Sequence, residues 1–339
     1  MTGIKDVARE VGLSTATVSR ALRGLPRVSP ETREQVLEAA TRMGYVASTH
    51  AASLASGQTH AIGVVVPNVA RWFFGSVVHG AEELLRQEGY DLLLYTVTSE
   101  PAARQRLFHS YLLSKRVDAV MVLALRPTPE EVASLDRTGL PTVVVGGAVP
   151  GWSSVRIDDV EAAETAVRHL VELGHGRIAH LSGVPDPEHT GLDFSTPGER
   201  LLGYRTAMEE AGLGIEPGWE VSGDFTALGG LAACRELLAA RERPTAIFAG
   251  SDEMAIGACH AVREAGLRVP EDISVIGIDN HELSEYFDLS TVAQPAPELG
   301  RLGARMLLDA LTSDTPPSPL EQIVPTQLIA RGTTARVTC

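Results

Sequence analysis

The chain is 339 residues long, 44% hydrophobic and 5% aromatic, with three cysteines and a formal net charge of −14. That length predicts two or three domains. No apolar run reaches the ~18–20 residues of a membrane span, and no basic-then-apolar leader opens the chain, so a cytoplasmic protein without a membrane partner is expected. Cys234, Cys259 and Cys339 are odd in number and far apart, a spacing that argues against a disulfide framework or a metal site.

The first predicted element is a helix. Ile4, Val7, Ala8 and Val11 share one helical face, and Gly12 stands where a left-handed residue would end it. Ser14 can cap a second helix, whose apolar stripe is Val18, Ala21 and Leu22. Its other face presents Thr15, Ala16, Thr17, Ser19 and Arg20, short polar or methyl-bearing groups with one forked cation. That set suits a helix lying in a DNA major groove. Ser29-Pro30 reads as a cap followed by proline at the first helical position. A third helix then runs through Val36, Leu37, Ala40 and Met43 to Gly44-Tyr45. A plain helical hairpin would share the first two helices; the third favours a compact headpiece. The charge is uneven as well. Residues 1–60 carry Lys5, Arg9, Arg20, Arg23, Arg27, Arg33 and Arg42 against Asp6, Glu10, Glu31, Glu34 and Glu38. A mildly basic head on an acidic body can still bind phosphates, because screening limits each charge to about 10 Å at moderate salt.

Residues 46–60 are small and polar apart from Leu54, and read either as a passive linker or as a hinge. From Ile62 the pattern alternates strand and helix. Apolar runs stand at Ile62–Val66, Leu92–Val97, Ala119–Leu123 and Val143–Val145. A second series follows at Ile178–Leu181, Trp219–Gly223, Ala246–Ala249 and Ile273–Ile278. Short buried strands separated by helices predict parallel sheets covered on both faces, and two series predict two similar lobes. The tail, Pro295–Leu311 and Gln322–Leu328, is expected to return as helix and strand to the first lobe, with Thr315–Pro319 as a surface loop.

Ligands of such sheets bind beyond the carboxyl ends of the strands. The loops there hold Trp72-Phe73-Phe74, the long segment Pro185–Pro197, Asp224-Phe225, Ser251-Asp252 and Asp279-Asn280. Aromatic faces cover sugars or bases while Asp and Arg bind hydroxyls or ring nitrogens. No Gly-x-Ser-x-Gly, P-loop or His/Cys ligand spacing occurs, so no enzyme, catalytic residue, cofactor or metal is expected.

The stretches "IKDVAREVGLSTATVSRAL", "VSPETREQVLEAATRMGYV", "AASLASGQTHAIGVVVPN", "HLVELGHGRIAHLSG", "GERLLGYRTAMEEAG", "RPTAIFAGSDEMAIGA" and "LRVPEDISVIGIDN" together resemble the LacI/GalR family of bacterial repressors over nearly the whole chain. The resemblance implies an α/β protein. A helix-turn-helix headpiece (1–46) would join, through a hinge helix (47–60), a two-lobed periplasmic-binding-protein-like core of parallel sheets (61–339). It implies a DNA-binding transcriptional regulator, a repressor of sugar-utilisation genes. Its expected partners are a near-palindromic double-stranded operator and a sugar effector between the lobes. A homodimer is expected on symmetry grounds, and no terminal heptad repeat points to a tetramer. A purine- or nucleoside-responsive regulator is the alternative within the family, and a sugar-binding transport protein the alternative outside it.

The residues implied for DNA are Thr15, Ala16, Thr17, Ser19 and Arg20, with Leu54 as a minor-groove wedge. For the effector they are Phe74 and Phe225 as stacking rings and Asp158, Arg200 and Asp279 as polar contacts. Each polar or stacking residue has a plainer alternative. Phe74 could pack its helix, Arg200 could be a surface charge, Asp279 a turn cap and Asp158 a hinge hydrogen-bonding group. Four departures from the family pattern stand out: Ala47-Ser48 for a proline-asparagine pair, Ala52 for an arginine, Ser251 for an asparagine in the effector site, and a long loop around His189–Phe194 in place of a shorter one.

Overall fold

A computed structural model describes residues 3–22, 26–45, 58–97, 100–109, 116–183, 195–315 and 317–337. Leu54, most of the 47–60 segment and the 184–194 loop lie outside the described residues. The chain forms two compact units, Met1–His60 and Ala61–Cys339.

In the first unit, α1 (Ile4–Glu10), α2 (Thr15–Leu22) and α3 (Pro30–Arg42) pack around Val7, Ala8, Val18, Ala21, Val36, Ala39 and Ala40. The helix boundaries follow local chemistry. Gly12 adopts φ +68°, and the Leu13 amide donates to the Ala8 carbonyl at 3.0 Å, closing α1. A side chain at that φ would be strained, which is why glycine stands there. Ser14 Oγ accepts from the Thr17 amide at 3.1 Å, and Ser29 Oγ caps α3 at the Thr32 amide, 3.2 Å away, with Pro30 following. Leu37 departs from expectation. It is 46% exposed, and Ala39 takes the core position instead. The buried face of α3 is 36, 39, 40 and 43, and residue 37 lies about 100° around the helix from 36.

The second unit holds two six-stranded sheets. The first sheet is built from β1 (Ala61–Val66), β2 (Asp91–Thr96), β3 (Ala119–Leu123), β4 (Thr142–Val145), β5 (Ser153–Arg156) and β11 (Glu321–Ile323), in the order β11-β5-β4-β3-β1-β2. The second is built from β6 (Ile178–Ser182), β7 (Glu220–Ser222), β8 (Ala246–Ala249), β9 (Ser274–Asp279), β10 (Ser290–Ala293) and β12 (Gln327–Ile329), in the order β12-β10-β9-β8-β6-β7. All pairings are parallel except the edge pair β10–β12. Every residue of β1, β3, β6, β8 and β9 is buried, as strands sandwiched between helices require.

The helices of the first lobe are α4 (Trp72–Gln87), α5 (Pro101–His109), α6 (Pro129–Asp136) and α11 (Ala296–Thr312). Those of the second are α7 (Asp159–Glu172), α8 (Thr196–Glu210), α9 (Ala227–Ala239) and α10 (Asp252–Glu264). The chain therefore passes between lobes three times: after β5, after β10, and between β11 and β12. The last passage corrects the expected tail. Gln322–Leu328 is not one strand returning to the first lobe. Its first part joins the first sheet and its end joins the second, with Pro325 between them. Proline has no amide to give a ladder and so ends a strand. Among the described residues no helix is long and apolar enough to cross a membrane.

Candidate functional sites: the headpiece helix and the interlobe cleft

On α2, Val18 and Ala21 are buried, which turns the opposite face outward. Thr15, Ala16 and Arg20 are exposed, and Thr17 and Ser19 half-buried. The Thr17 hydroxyl lies 2.9 Å from Ser14 Oγ, so it also serves the helix start. The outward surface is short and uncluttered, with one guanidinium. A helix of that profile can approach base edges closely.

In the second unit a cavity of about 330 Å³ opens between the lobes. The first lobe supplies Arg71, Trp72, Phe73 and Phe74 from the start of α4. The second supplies Arg200, Asp224, Phe225, Ser251, Glu253 and Asp279, and the passages between lobes supply Ile157, Asp159 and Gln294. Five of the six residues expected to contact an effector, Phe74, Arg200, Phe225, Ser251 and Asp279, thus line one cavity. Asp158 does not. Its Oδ1 accepts from the Glu161 amide at 3.0 Å and caps α7, while the carboxylate in the cavity wall is that of its neighbour, Asp159.

Arg200 is neither a surface charge nor unattached. Its side chain is 5% exposed, Nε donates to Asp159 Oδ1 at 2.7 Å, and Nη1 donates to the Gly250 carbonyl. A buried pair of this kind holds two helices in register, and removing one partner strands the other in a dry site. Asp279 is buried at the end of β9 and accepts from Gln294 Nε2 at 2.6 Å. Burial pushes its carboxyl up to about 7, against the opposing pull of Arg200. Beneath it, Asp252 is fully buried. Its Oδ2 accepts from the His281 amide (2.9 Å) and Ser284 Oγ (2.6 Å), and its Oδ1 from Thr291 Oγ1 (2.7 Å). That network fixes the β9–β10 connection. Ser251 Oγ caps α10 at the Met254 amide, 3.3 Å away, a structural duty beside its place in the wall.

The aromatic groups are held from behind. The Phe73 and Phe74 rings meet edge to face at 5.5 Å, and Trp72 lies 5.1 Å from the His281 ring across the cleft. Phe225 sits directly over Gly183, where any Cβ would collide with its ring. Backbone strain gathers at the same place. Ala124, Asp224 and Phe225 adopt φ values of 47–50° and Asp279 of 138°, all without being glycine, and all four line the cavity. Such residues persist only where the surroundings over-determine them, typically at binding sites.

Arg71, Asp159 and Gln294 are cavity residues that the sequence reading missed. Arg71 precedes the flagged aromatic triplet by one position. Gln294 follows β10, which has no apolar run to announce it.

These features define a core of two parallel-sheet lobes with a cavity between them, accompanied by a helix-turn-helix unit. Residues 3–48 match the model of the bacterial regulatory proteins of the lacI family, and residues 167–334 that of the periplasmic binding protein-like domain. The chain is 36% identical over 339 residues to the HTH-type transcriptional repressor PurR of Erwinia tasmaniensis, covering 98% of this chain and 97% of that protein. It is 33% identical to a transcriptional regulator CelR–cellobiose complex (98% and 100% covered, TM-score 0.73). It is 28% identical to the lac repressor dimer bound to operator and the anti-inducer ONPF (98% and 99% covered, TM-score 0.85). The chain belongs to the lacI family of DNA-binding transcriptional regulators. The headpiece sets it apart from the transport-protein alternative.

Proposed function

We propose that this regulator is a homodimeric repressor of sugar-utilisation genes whose operator affinity is set by an uncharged sugar held between the lobes. The observation that carries the reading is the cavity's charge arrangement. Among the described residues Asp159, Asp224, Glu253 and Asp279 line it, against Arg71 and Arg200. Both arginines already face protein acceptors: Arg200 faces Asp159 and Gly250, and Arg71 faces Asp224, Phe225 and Glu253. Carboxylates accept from ligand hydroxyls, whereas a phosphate would meet unfavourable charge and, among the described residues, arginines already engaged by protein acceptors. Phe74 and Phe225 would cover the apolar face of a sugar ring.

On the headpiece, Thr15, Ala16, Ser19 and Arg20 would read base edges, with Thr17 at the helix start and Leu54 wedging the minor groove beyond it. Two such headpieces would meet a near-palindromic site. Exposed Leu283 (44%) and Tyr286 (84%) supply apolar surface for a second copy. A purine or nucleoside effector is the second reading. The two phenylalanine faces favour it, and so does the likeness to PurR.

The test selects genomic duplexes with the full-length protein and then measures operator affinity with added neutral mono- and disaccharides, their phosphorylated counterparts, purines and nucleosides. An uncharged sugar should shift the dissociation constant at least tenfold, about 1.4 kcal/mol of coupling. No duplex preference would sink the regulator. A response to purines alone would select the second reading. A response to a phosphorylated sugar would overturn the charge argument.

A further inference from the structure

We propose that Arg71 is a clasp across the mouth of the cleft. Its guanidinium, carried by the first lobe, holds the Asp224–Phe225 turn of the second, so that closing the lobes and setting the Phe225 ring are a single event. The inference rests on the reading of this cleft as the effector site.

The geometry is specific. Arg71 Nη1 donates to the Phe225 carbonyl at 3.0 Å and Nη2 to the Asp224 carbonyl at 3.4 Å. The carboxylates of Glu253 (3.7 Å) and Asp224 (3.8 Å) stand just beyond, completing a ring of acceptors. Asp224 and Phe225 both adopt φ of 50°, a left-handed pair made without glycine. Two consecutive residues in that conformation need outside support, and their carbonyls receive it from the opposite lobe. Directly after them Thr226 caps α9, its Oγ1 accepting from the Gly229 amide at 2.7 Å. On the other side the Phe225 ring rests on Gly183. The clasp therefore fixes both the start of a helix and the face an effector would meet.

The fork matters as much as the charge. Arginine can bond two successive carbonyls at once, whereas lysine offers one compact, hydrated ammonium. Arg71 also occupies the N-cap of α4 without capping it through its side chain. The side chain is committed to the far lobe, not to its own helix. The Trp72–His281 ring contact, one residue along, is a second bond between the lobes that opening would break.

The experiment uses the full-length protein with no ligand added. Hydrogen exchange of the amides of Thr226, Gly229 and Gly230 is followed by mass spectrometry, and the radius of gyration by X-ray scattering. Arg71→Ala should accelerate exchange in this segment at least tenfold and increase the radius. Arg71→Lys should accelerate it too, because the fork is lost. Raising the salt concentration should speed exchange in the wild type more than in Arg71→Ala, since screening weakens the acidic ring. Wild-type exchange in Arg71→Ala overturns the clasp. Wild-type exchange in Arg71→Lys overturns the paired-carbonyl arrangement on which it is built. Circular dichroism confirms that both variants are folded. Selection of a duplex by the wild type is scored separately, so failure of the regulator reading is distinguishable from failure of the clasp.

Discussion

Replacing Asp279 with asparagine isolates one carboxyl whose ionisation opposes folding. Burial raises its pKa from 3.8 to about 7, the favourable pull of Arg200 being too weak to offset desolvation. Asp252 adds like charge, and Gln294 donates a hydrogen bond that favours the ionised form. The sign follows from proton counting. Between the unfolded and folded pKa values the native state binds more protons than the unfolded chain, so stability falls as pH rises through that window. The full contribution is present below about pH 4 and is lost by the time pH exceeds about 7. Three units of displacement correspond to a ceiling of about 4 kcal/mol. Asparagine keeps an oxygen to accept from Gln294 and removes the charge. The Asp279→Asn variant should therefore match the wild type at about pH 4 and exceed it progressively up to pH 8, by several degrees in Tm. Thermal melts of both proteins at half-unit intervals from about pH 3.5 to 9 supply the difference curve. The histidines are common to both proteins and largely cancel in that curve, while Asp252, relieved of a like charge in the variant, adds to the difference in the same direction. A difference that is flat with pH, or one in which the variant loses stability at high pH, would refute the reasoning. Either result would mean that Asp279 is ionised and that Arg200, not burial, governs it.

Arg20→Ala should weaken operator binding by roughly 1–3 kcal/mol if the guanidinium reaches a base edge, measured by fluorescence anisotropy. An equal loss on random duplex would assign Arg20 to phosphate instead. Arg200→Ala should cost about 3–5 kcal/mol of core stability, because it strands Asp159. The double variant Arg200→Met with Asp159→Asn should recover much of that loss in denaturant titration, and no recovery would show that the two residues are not coupled. Leu54→Ala should reduce operator affinity and DNA bending while leaving effector affinity unchanged. Wild-type bending would make the 47–60 segment a tether.

Where a pattern is periodic and deep in a core, the residues announced their own structure. Val7, Ala8, Val18 and Val36 are the headpiece core, and the apolar runs at Ile62–Val66 and Ala119–Leu123 became fully buried strands. The run Leu92–Val97 did not: it became the edge strand β2, with Leu93 and Leu94 exposed, because an edge strand lacks a neighbour on one side. Strands made of hydroxyl-bearing residues did not announce themselves. β5 reads Ser-Ser-Val-Arg and β10 reads Ser-Thr-Val-Ala, and both are held by neighbours instead of by their own hydrophobicity. Missing β10 hid Gln294, which follows it. The strand-end rule found the aromatic and acidic loops, since topology alone decides where those ends lie. It could not choose between Asp158 and Asp159. Both stand at a lobe passage, and only the local helix start decides which carboxylate caps and which faces the cavity. Arg71 was invisible for a related reason: its partners are 153 and 154 residues away, at Asp224 and Phe225.

The three passages of the chain between lobes have a consequence during synthesis. Five of the six strands of the first sheet are made by Arg156, yet the helix that covers one of its faces begins at Ala296, about 140 residues later, and the sixth strand later still. Leu299, Ala304 and Leu307 of that helix share a buried core with Met121, Val143 and Val145. At translation rates of about 5–20 residues per second, that face waits on the order of ten seconds or more for its cover. Through that interval the other lobe is being made, and it too is unfinished until β12 arrives at its edge. Until the last residues are made, the growing polypeptide therefore carries two incomplete lobes in tandem. Until α11 emerges, the apolar face that it covers stays open to solvent, and surface of that kind is where a nascent chain is most prone to aggregate.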